Sequence, residues 1–302
     1  MKGAVVAGDG RPVHVDTRPT PTGNIVDALV GQLQDLNTAA ARNGFQVLGA
    51  GVVTPGIVDT EEGVVRYASN LGWRDLPLQS ILSTRLGLPV VIGHDVRAAG
   101  LAEQLFGAAR GYNDFVLVTI GTGVSAALVT GGRVVTGVAG KAGEFGHIPM
   151  VPGGEKCACG QIGCLEVYVS GAGLPRRYAA HGGAALSSAE IAARVEWEPL
   201  ANQVWRDAIA VLAQGVTIIT LLLDPGIIVL GGGLAGAGDT LLGPLERGVA
   251  DDLAWRESPP IVLSPLLGEA GRIGAAVLAF REAGYGAMVD TWQPALALVA
   301  PR

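Results

Sequence analysis

Three observations predict an α/β fold for this sequence of 302 residues. Short apolar segments with the length of buried strands alternate with longer segments whose apolar residues recur at helical spacing. Prolines and 46 glycines punctuate the boundaries between these segments. Hydrophobic residues form 49% of the chain and charged residues 16%, which is typical of a globular protein with a large core. Strands that alternate with helices indicate a sheet covered by helices.

The first third of the chain predicts a small α/β lobe. We expect strands over 3–7, near Val13, over 47–53 and over 90–92, and helices over 24–43 and 78–86. A final helix over 272–283 is expected to pack back on this lobe. The smaller lobe is therefore predicted to comprise residues 1–95 together with about 270–302.

Residues 96–269 predict a second, larger lobe. We expect a helix over 96–106, strands over 115–120, 125–130 and 227–230, and a hairpin at Gly131-Gly132 that leads into 134–136. A long helix is predicted from apolar residues that share one face, namely Val204, Ala208, Val211, Leu212, Gly215, Ile218, Ile219 and Leu222. The segment 137–163 has no clear periodicity and is predicted to be a loop.

Charge and hydropathy exclude several classes of protein. The net charge of −6 argues against nucleic acid as a partner, because phosphate binding needs a basic surface. The N-terminus turns polar too soon for a signal peptide. The most apolar run, 216–223, is too short to span a bilayer. We therefore expect a cytoplasmic protein without a nucleic-acid or membrane partner.

The three cysteines of the chain fall in one short segment and predict a metal site. Cys157, Cys159 and Cys164 form a C-x-C-x4-C pattern, and His147 lies ten residues upstream of it. Thiolate and imidazole ligands suit zinc, and four protein ligands leave no open position for water. The alternative is a set of small buried cysteines, which such clustering makes improbable. The spacing therefore predicts a structural Zn²⁺ bound by His147, Cys157, Cys159 and Cys164.

Two glycine turns and one aspartate stand where α/β proteins bind ligands. Gly121-Thr122-Gly123 joins two strands, and Gly231-Gly232-Gly233 follows a buried strand. Such turns let backbone N–H groups face a phosphate, although an ordinary tight turn is the alternative. Asp95 follows an apolar strand and precedes a helix. Helix N-capping is the other reading of that aspartate.

Several motifs in order along the chain resemble the signature of ROK-family sugar kinases and repressors. The most specific is Glu144-Phe145-Gly146-His147 followed by C-x-C-G-x-x-G-C-x-E over 157–166. The matching segments elsewhere are 69–73, Asp95, 120–123 and 228–233. The resemblance covers about residues 1–285 and leaves the tail from 290 to 302 without an interpretation.

The resemblance implies an actin-like (ribonuclease-H-like) fold of two lobes with a central cleft, and transfer of the γ-phosphoryl group of ATP to a sugar hydroxyl. It implies that Asp95 is the catalytic residue, which orients or deprotonates that hydroxyl. The implied sugar contacts are Asn70, His94, Asp95, Glu144, His147 and Glu166. The implied nucleotide contacts are Gly121, Thr122, Gly123, Gly231, Gly232 and Gly233, with Mg²⁺ held mostly by phosphates and water.

The sequence departs from the family pattern at three places, of which the replacement of a glycine-rich tail by the small residues 124–127 is the mildest. Family kinases open with a strand that ends in D-x-G-G-T, whereas this chain starts at the segment that follows that loop. We interpret this as a mis-called or truncated start, and a natural form without the loop is the alternative. His94-Asp95 also replaces the usual Asn-Asp pair, and a histidine differs in reach and charge.

The leading hypothesis is an ATP-dependent hexokinase that phosphorylates glucose at the 6-hydroxyl. The alternatives are a kinase for an amino sugar, a catalytically impaired sugar-binding or regulatory protein, and a ROK repressor. A repressor would need a helix-turn-helix ahead of the sugar domain, and the sequence has none. Family habit implies a homodimer or homotetramer, and the phosphoryl donor is ATP or polyphosphate.

Overall fold

The computed structural model describes residues 1–293 and contains two compact units. The strands, numbered in chain order, are β1 (Lys2–Val6), β2 (Pro12–Thr17), β3 (Ala50–Thr54), β4 (Ile57–Asp59), β5 (Val64–Ala68), β6 (Trp73–Leu76), β7 (Val90–His94), β8 (Phe115–Ile120), β9 (Val124–Thr130), β10 (Arg133–Val134), β11 (Ile227–Gly231) and β12 (Ile261–Leu263). The α-helices are α1 (Ile25–Arg42), α2 (Leu78–Leu86), α3 (Asp95–Phe106), α4 (Leu165–Val169), α5 (Gly173–Ala180), α6 (Ser188–Ala192), α7 (Pro199–Leu223), α8 (Asp239–Asp252), α9 (Ala270–Glu282) and α10 (Gly286–Val289). Short 3-10 helices cover Ser69–Leu71, Phe145–His147, Gly233–Ala237 and Leu267–Glu269.

Among the described residues, the first unit comprises 1–107 and 269–293. In it β1 pairs with β2, β3 pairs in parallel with β7, and β4, β5 and β6 form an antiparallel sheet. The helices α3 and α9 approach so closely that a Cβ on Gly274 would lie 2.0 Å from the Ala98 carbonyl oxygen. The smaller lobe was predicted to end at Asp95, whereas α3 and Gly107 also belong to this unit. The predicted part beyond residue 293 lies outside the described residues.

Residues 108–268 form the second unit around a sheet in the order β10-β9-β8-β11-β12. β11 pairs in parallel with both β8 and β12. β9 pairs antiparallel with β8, and β10 pairs antiparallel with β9. The parallel strands β8 and β11 are apolar at almost every position, as expected of parallel strands that are covered on both faces. β11 is buried at every position, and β8 at every position except Thr119.

The helix α7 lies in the core of the second unit. By length and composition alone it could cross a membrane, with a mean hydropathy of 1.6 over its most apolar window. Half of that window is buried inside the protein, however, and the core helix of a soluble protein passes the same test. Val204, Leu212 and Val216 are among its buried residues. Leu222, predicted on the inner face, is 76% exposed, because it lies in the last turn before Asp224-Pro225.

Candidate functional site

The four predicted metal ligands lie together in the second unit. One ligand atom from each of His147, Cys157, Cys159 and Cys164 lies within 4.8 Å of all the others. The Nδ1 atom of His147 is 3.7 Å from the Cys157 sulfur, and the Cys159 and Cys164 sulfurs are also 3.7 Å apart. Ligand bonds of about 2.0–2.3 Å around one zinc ion require separations of this size. The donor set and its geometry therefore fit a closed structural Zn²⁺ site.

The backbone of the loop folds tightly because two glycines adopt positive φ angles. Gly160, with φ +94°, donates its N–H to the Cys157 carbonyl at 3.0 Å. Gly163, with φ +76°, has no room for a side chain, since a Cβ there would lie 1.9 Å from the Val151 carbonyl oxygen. The side-chain amide of Gln161 donates to the His147 backbone carbonyl at 3.3 Å and to the Cys159 sulfur at 3.4 Å. Gln161, which the sequence analysis missed, thus connects the two segments that carry the ligands.

The cysteines differ in how readily they ionise. Burial, together with hydrogen bonds with the Cys159 and Cys157 thiols, raises the pKa of Cys164 to about 12. Burial also raises the pKa of Cys159, but hydrogen bonds from Gln161 and from the Cys157 and Cys164 thiols together outweigh this effect and bring that pKa to about 7. A bound cation stabilises thiolates, so binding of Zn²⁺ at this loop would release protons.

His147 faces the ligand cluster with one ring nitrogen and a carboxylate with the other. Its Nε2 atom lies 4.0 Å from a carboxylate oxygen of Glu144, three residues earlier. A histidine between a carboxylate and a metal is a common arrangement, because the carboxylate orients the ring. The 3-10 helix that carries His147 packs so closely on β9 that a Cβ on Gly146 would lie 2.3 Å from the Val124 carbonyl oxygen. Glu144 and His147 are therefore held in one place.

Glu166, the third predicted sugar contact in this unit, lies in the first turn of α4. One of its carboxylate oxygens accepts the backbone N–H of Val124 at 2.9 Å. Val124 directly follows the turn 121–123, so Glu166 connects the end of the metal loop to this glycine turn. The structure thus brings Glu166 to a predicted nucleotide contact.

The two glycine turns lie side by side at the carboxyl edge of the parallel strands. Gly121-Thr122-Gly123 follows β8 and Gly231-Gly232-Gly233 follows β11, and Gly231 is in register with Thr119. Gly232 has φ +84°, and a Cβ there would lie 2.4 Å from the Ile120 carbonyl oxygen. Only glycine permits this backbone approach. This edge of an α/β sheet is where ligands bind.

The remaining predicted site residues belong to the first unit. Asp95 is the first residue of α3, its side chain is 39% exposed, and its Oδ1 atom accepts the Val96 N–H at 2.7 Å. His94 is buried and caps α3 by accepting the Arg97 N–H at 3.4 Å. The capping role weighed for Asp95 thus falls to His94. Asn70 is exposed in the 3-10 helix Ser69–Leu71.

A charged network beside the metal loop was missed in the sequence analysis. The guanidinium of Arg177 donates to Glu155 at 2.9 Å and to Asp207 at 3.2 Å, and it stacks on the Tyr168 ring at 4.8 Å. Arg176 donates to the same Glu155 carboxylate at 2.6 Å. Burial raises the pKa of Glu155, but the two arginines outweigh it and hold that pKa below its usual value. The only sequence signal was the charged pair Arg176-Arg177 in a short helix.

Comparison with known proteins agrees with the motifs. The family model described as "ROK family" matches residues 1–282. A glucokinase from Streptomyces coelicolor is 32% identical over 299 residues, which cover 91% of this chain and 92% of that protein. A ROK glucokinase from Streptomyces griseus, solved with glucose and AMPPNP, superposes with a TM-score of 0.81 at 30% identity and covers 92% of this chain and 95% of its own.

A transcriptional regulator has the same fold. The structure of a ROK regulator described as a homologue of the Escherichia coli MLC protein superposes with a TM-score of 0.82 at 26% identity. The match covers 95% of this chain and 76% of the regulator. The predicted actin-like, two-lobed α/β fold is confirmed by the likeness to the ROK kinases. The family match and the glucokinase identity together show that this chain belongs to the ROK family.

Proposed function

We propose that this protein is a carbohydrate kinase that transfers the γ-phosphoryl group of ATP to the 6-hydroxyl of a hexose, with glucose as the leading substrate. The observation that carries the proposal is the hydrogen bond between Glu166 and Val124. It joins a predicted sugar-binding carboxylate to a turn suited to phosphates, so groups for both substrates meet within one unit. The glucokinase relative supports the same activity.

In the proposed reaction Asp95 accepts a hydrogen bond from the attacking hydroxyl and takes its proton as the new P–O bond forms. The γ-phosphoryl group leaves ADP, so the products are a sugar phosphate and ADP. Asp95 is suited to this role because its carboxylate is partly exposed at a helix N-terminus. Phosphoryl transfer has a loose transition state, so positioning and charge stabilisation matter more than the strength of the base.

The other predicted residues bind and orient the substrates. Glu144, His147 and Glu166 offer acceptors and a ring N–H to vicinal hydroxyls, and Asn70 is a further contact. His94 caps a helix, so its proposed part in sugar binding is to position Asp95. Backbone N–H groups of both glycine turns would bind the phosphates, and Mg²⁺ would be held mostly by the phosphates and water. Bound zinc supplies structure rather than chemistry, because four protein ligands close its coordination shell.

A sugar-responsive regulator is the second candidate, and the likeness to a ROK transcriptional regulator favours it. In that case the same loop would bind a sugar without turnover. A kinase for an amino sugar is a variant of the first proposal. A cytoplasmic homo-oligomer remains our prediction for either function.

The test is a coupled ADP-release assay of the purified protein with glucose, mannosamine and glucosamine, and with ATP or polyphosphate as donor. We expect ADP release with ATP and glucose, a product that glucose-6-phosphate dehydrogenase oxidises, and about one zinc per chain. Saturable sugar binding by calorimetry without ADP release would favour the regulator instead. A faster reaction with an amino sugar would change the substrate and keep the reaction class.

A further inference from the structure

The short segment 165–171 holds the glycine turn 121–123 from two sides. At its start the Glu166 carboxylate accepts the Val124 N–H at 2.9 Å. Just beyond its helix, Gly171 donates its own N–H to the Gly121 carbonyl at 2.7 Å. The turn is closed internally by one bond, from the Gly121 N–H to the Gly123 carbonyl at 2.9 Å. Both of its ends are therefore fixed by the same segment.

Two glycines make room for these contacts. A Cβ on Gly123 would lie 2.6 Å from the bonded carboxylate oxygen of Glu166. A Cβ on Gly171 would lie 2.8 Å from the Gly121 carbonyl oxygen. The glycine at 123 thus has a use besides leaving space for a nucleotide, since it admits the carboxylate of Glu166.

The start of the same segment is fixed to the metal loop. Cys164, one of the four candidate ligands, is the residue immediately before α4. Leu165 donates its N–H to the carbonyl of Ile148 at 3.0 Å, and Ile148 directly follows the ligand His147. A metal that draws these ligands together therefore fixes the two residues that directly precede Glu166.

We propose that Glu166 is a positioning residue through which zinc binding orders the glycine turn 121–123. When the ligands are held together, the first turn of α4 is fixed and its carboxylate holds the Val124 N–H. When the metal is removed, α4 keeps its packing in the core but loses the restraint at its N-terminus, and the turn loses a charge-assisted hydrogen bond. The ordering itself depends only on these contacts, and its effect on nucleotide binding rests on the proposed function.

Hydrogen exchange at the Val124 amide tests the ordering directly. The full chain is compared with one zinc bound and after chelation, as wild type, Glu166→Gln, Glu166→Ala and the exposed control Glu246→Gln. We expect chelation to speed exchange at Val124 by about tenfold or more in the wild type and in the control, because a hydrogen bond to a charged group is lost. In Glu166→Ala the Val124 amide should exchange fast with and without zinc. In Glu166→Gln, which keeps an acceptor, its exchange rate should lie between those of the wild type and Glu166→Ala.

Unchanged exchange at Val124 on chelation of the wild type would overturn the proposal. So would wild-type protection in a folded Glu166→Ala variant. If that variant does not fold, as judged by circular dichroism, Glu166→Gln decides: an exchange rate identical to the wild type in both zinc states overturns the proposal.

The consequence for nucleotide binding is measured separately, with AMPPNP alone and no sugar. We expect its Kd to rise about tenfold on chelation in the wild type and to be insensitive to zinc in Glu166→Ala. Zinc-dependent protection of Val124 together with no AMPPNP binding would support the ordering and count against the proposed kinase activity. The two failures are thus distinguishable.

Discussion

The helices α3 and α4 each carry a predicted substrate-contacting carboxylate in the first turn, yet they are held in different ways. α3 is 12 residues long and packs against α9 so closely that Gly274 meets the Ala98 carbonyl. α4 has five residues, four of them buried in the core of the second unit, and it is held in addition by a cysteine of the metal cluster before it and an arginine stacked on its Tyr168. Such a short helix has little stability of its own. Packing thus fixes both helices, and at α4 the metal ligands and a charged side chain add to it.

The two carboxylates differ accordingly. The hydrogen bond of Asp95 is to the next residue of its own helix, and its side chain is 39% exposed. Glu166 reaches a residue 42 positions earlier in the chain and holds its backbone. A carboxylate with local contacts is available to a substrate, whereas one that fixes a distant turn acts first on the structure. We therefore expect substitutions of Asp95 to affect chemistry and substitutions around α4 to affect order.

The largest expected effect is that of Asp95→Asn on turnover. We predict that kcat falls by about 10²–10⁴-fold, because the amide accepts no proton from the attacking hydroxyl. Sugar affinity and the unfolding midpoint should change little, since Asn keeps the size and the oxygen that accepts the Val96 N–H. Steady-state kinetics, sugar calorimetry and thermal melting check the three parts. Unchanged turnover would remove Asp95 from the mechanism and end the contrast with Glu166.

A second prediction concerns the packing around α3. Trp292 lies beyond the family match, stacks on Phe106 with ring centroids 5.7 Å apart, and donates its indole N–H to the Gly8 carbonyl at 3.0 Å. Trp292→Ala should lower the free energy of unfolding by about 3–5 kcal/mol, because a large buried ring is lost. Denaturant unfolding with and without chelator measures it, and the loss should be equal in both conditions.

The matched control for this prediction is Trp197→Ala. Trp197 is 66% exposed, and the centroid of its ring lies 5.6 Å from the Arg194 guanidinium, so a loss of about 0–1 kcal/mol is expected. Equal losses in the two variants would show that the aromatic contacts around α3 do not stabilise the first unit. If the loss in free energy of unfolding caused by Trp292→Ala grows when zinc is removed, the stability around α3 depends on the metal loop, which would contradict the contrast between α3 and α4.

The sequence predicted what depends on neighbours along the chain. The helix 78–86 and the strand 115–120 have the predicted bounds, because their periodicity and the flanking turn residues are local signals. The three cysteines and His147 were found together for the same reason, since all four fall within 18 residues of sequence. Two glycine turns were placed correctly at the ends of strands.

Contacts between distant residues could not be predicted in this way. Trp292 meets Gly8 across 284 positions, and Arg177 meets Asp207 across 30. The strands β4–β6 were missed because they have three to five residues and are partly exposed, so their alternation is weak. The helix α4 was missed because its five residues are too few to show a helical period. Its position depends on contacts with other segments.

The smallest expected effect separates two neighbouring arginines that share one partner. Arg177 is buried, with its side chain 9% exposed, whereas the Arg176 side chain is 50% exposed, and both donate to Glu155. We predict that Arg177→Met lowers the free energy of unfolding by about 1–3 kcal/mol, because Glu155 and Asp207 lose hydrogen bonds from a charged donor. Arg176 also donates to the Val167 carbonyl at 3.1 Å, but its side chain is half exposed, so Arg176→Met should change the free energy of unfolding by only about 0–1 kcal/mol.

Zinc release provides the readout that connects this pair to α4. Glu155 lies two residues before Cys157 and accepts the Gly163 N–H at 2.8 Å through its carbonyl, so it fixes both ends of the metal loop. Arg177→Met should therefore speed zinc transfer to a chromogenic chelator, whereas Arg176→Met should leave the rate near that of the wild type. Equal rates for the two variants would mean that Arg177 stabilises the second unit without acting on the loop. A faster rate for Arg177→Met alone would place the charged network among the contacts that hold α4, as packing holds α3.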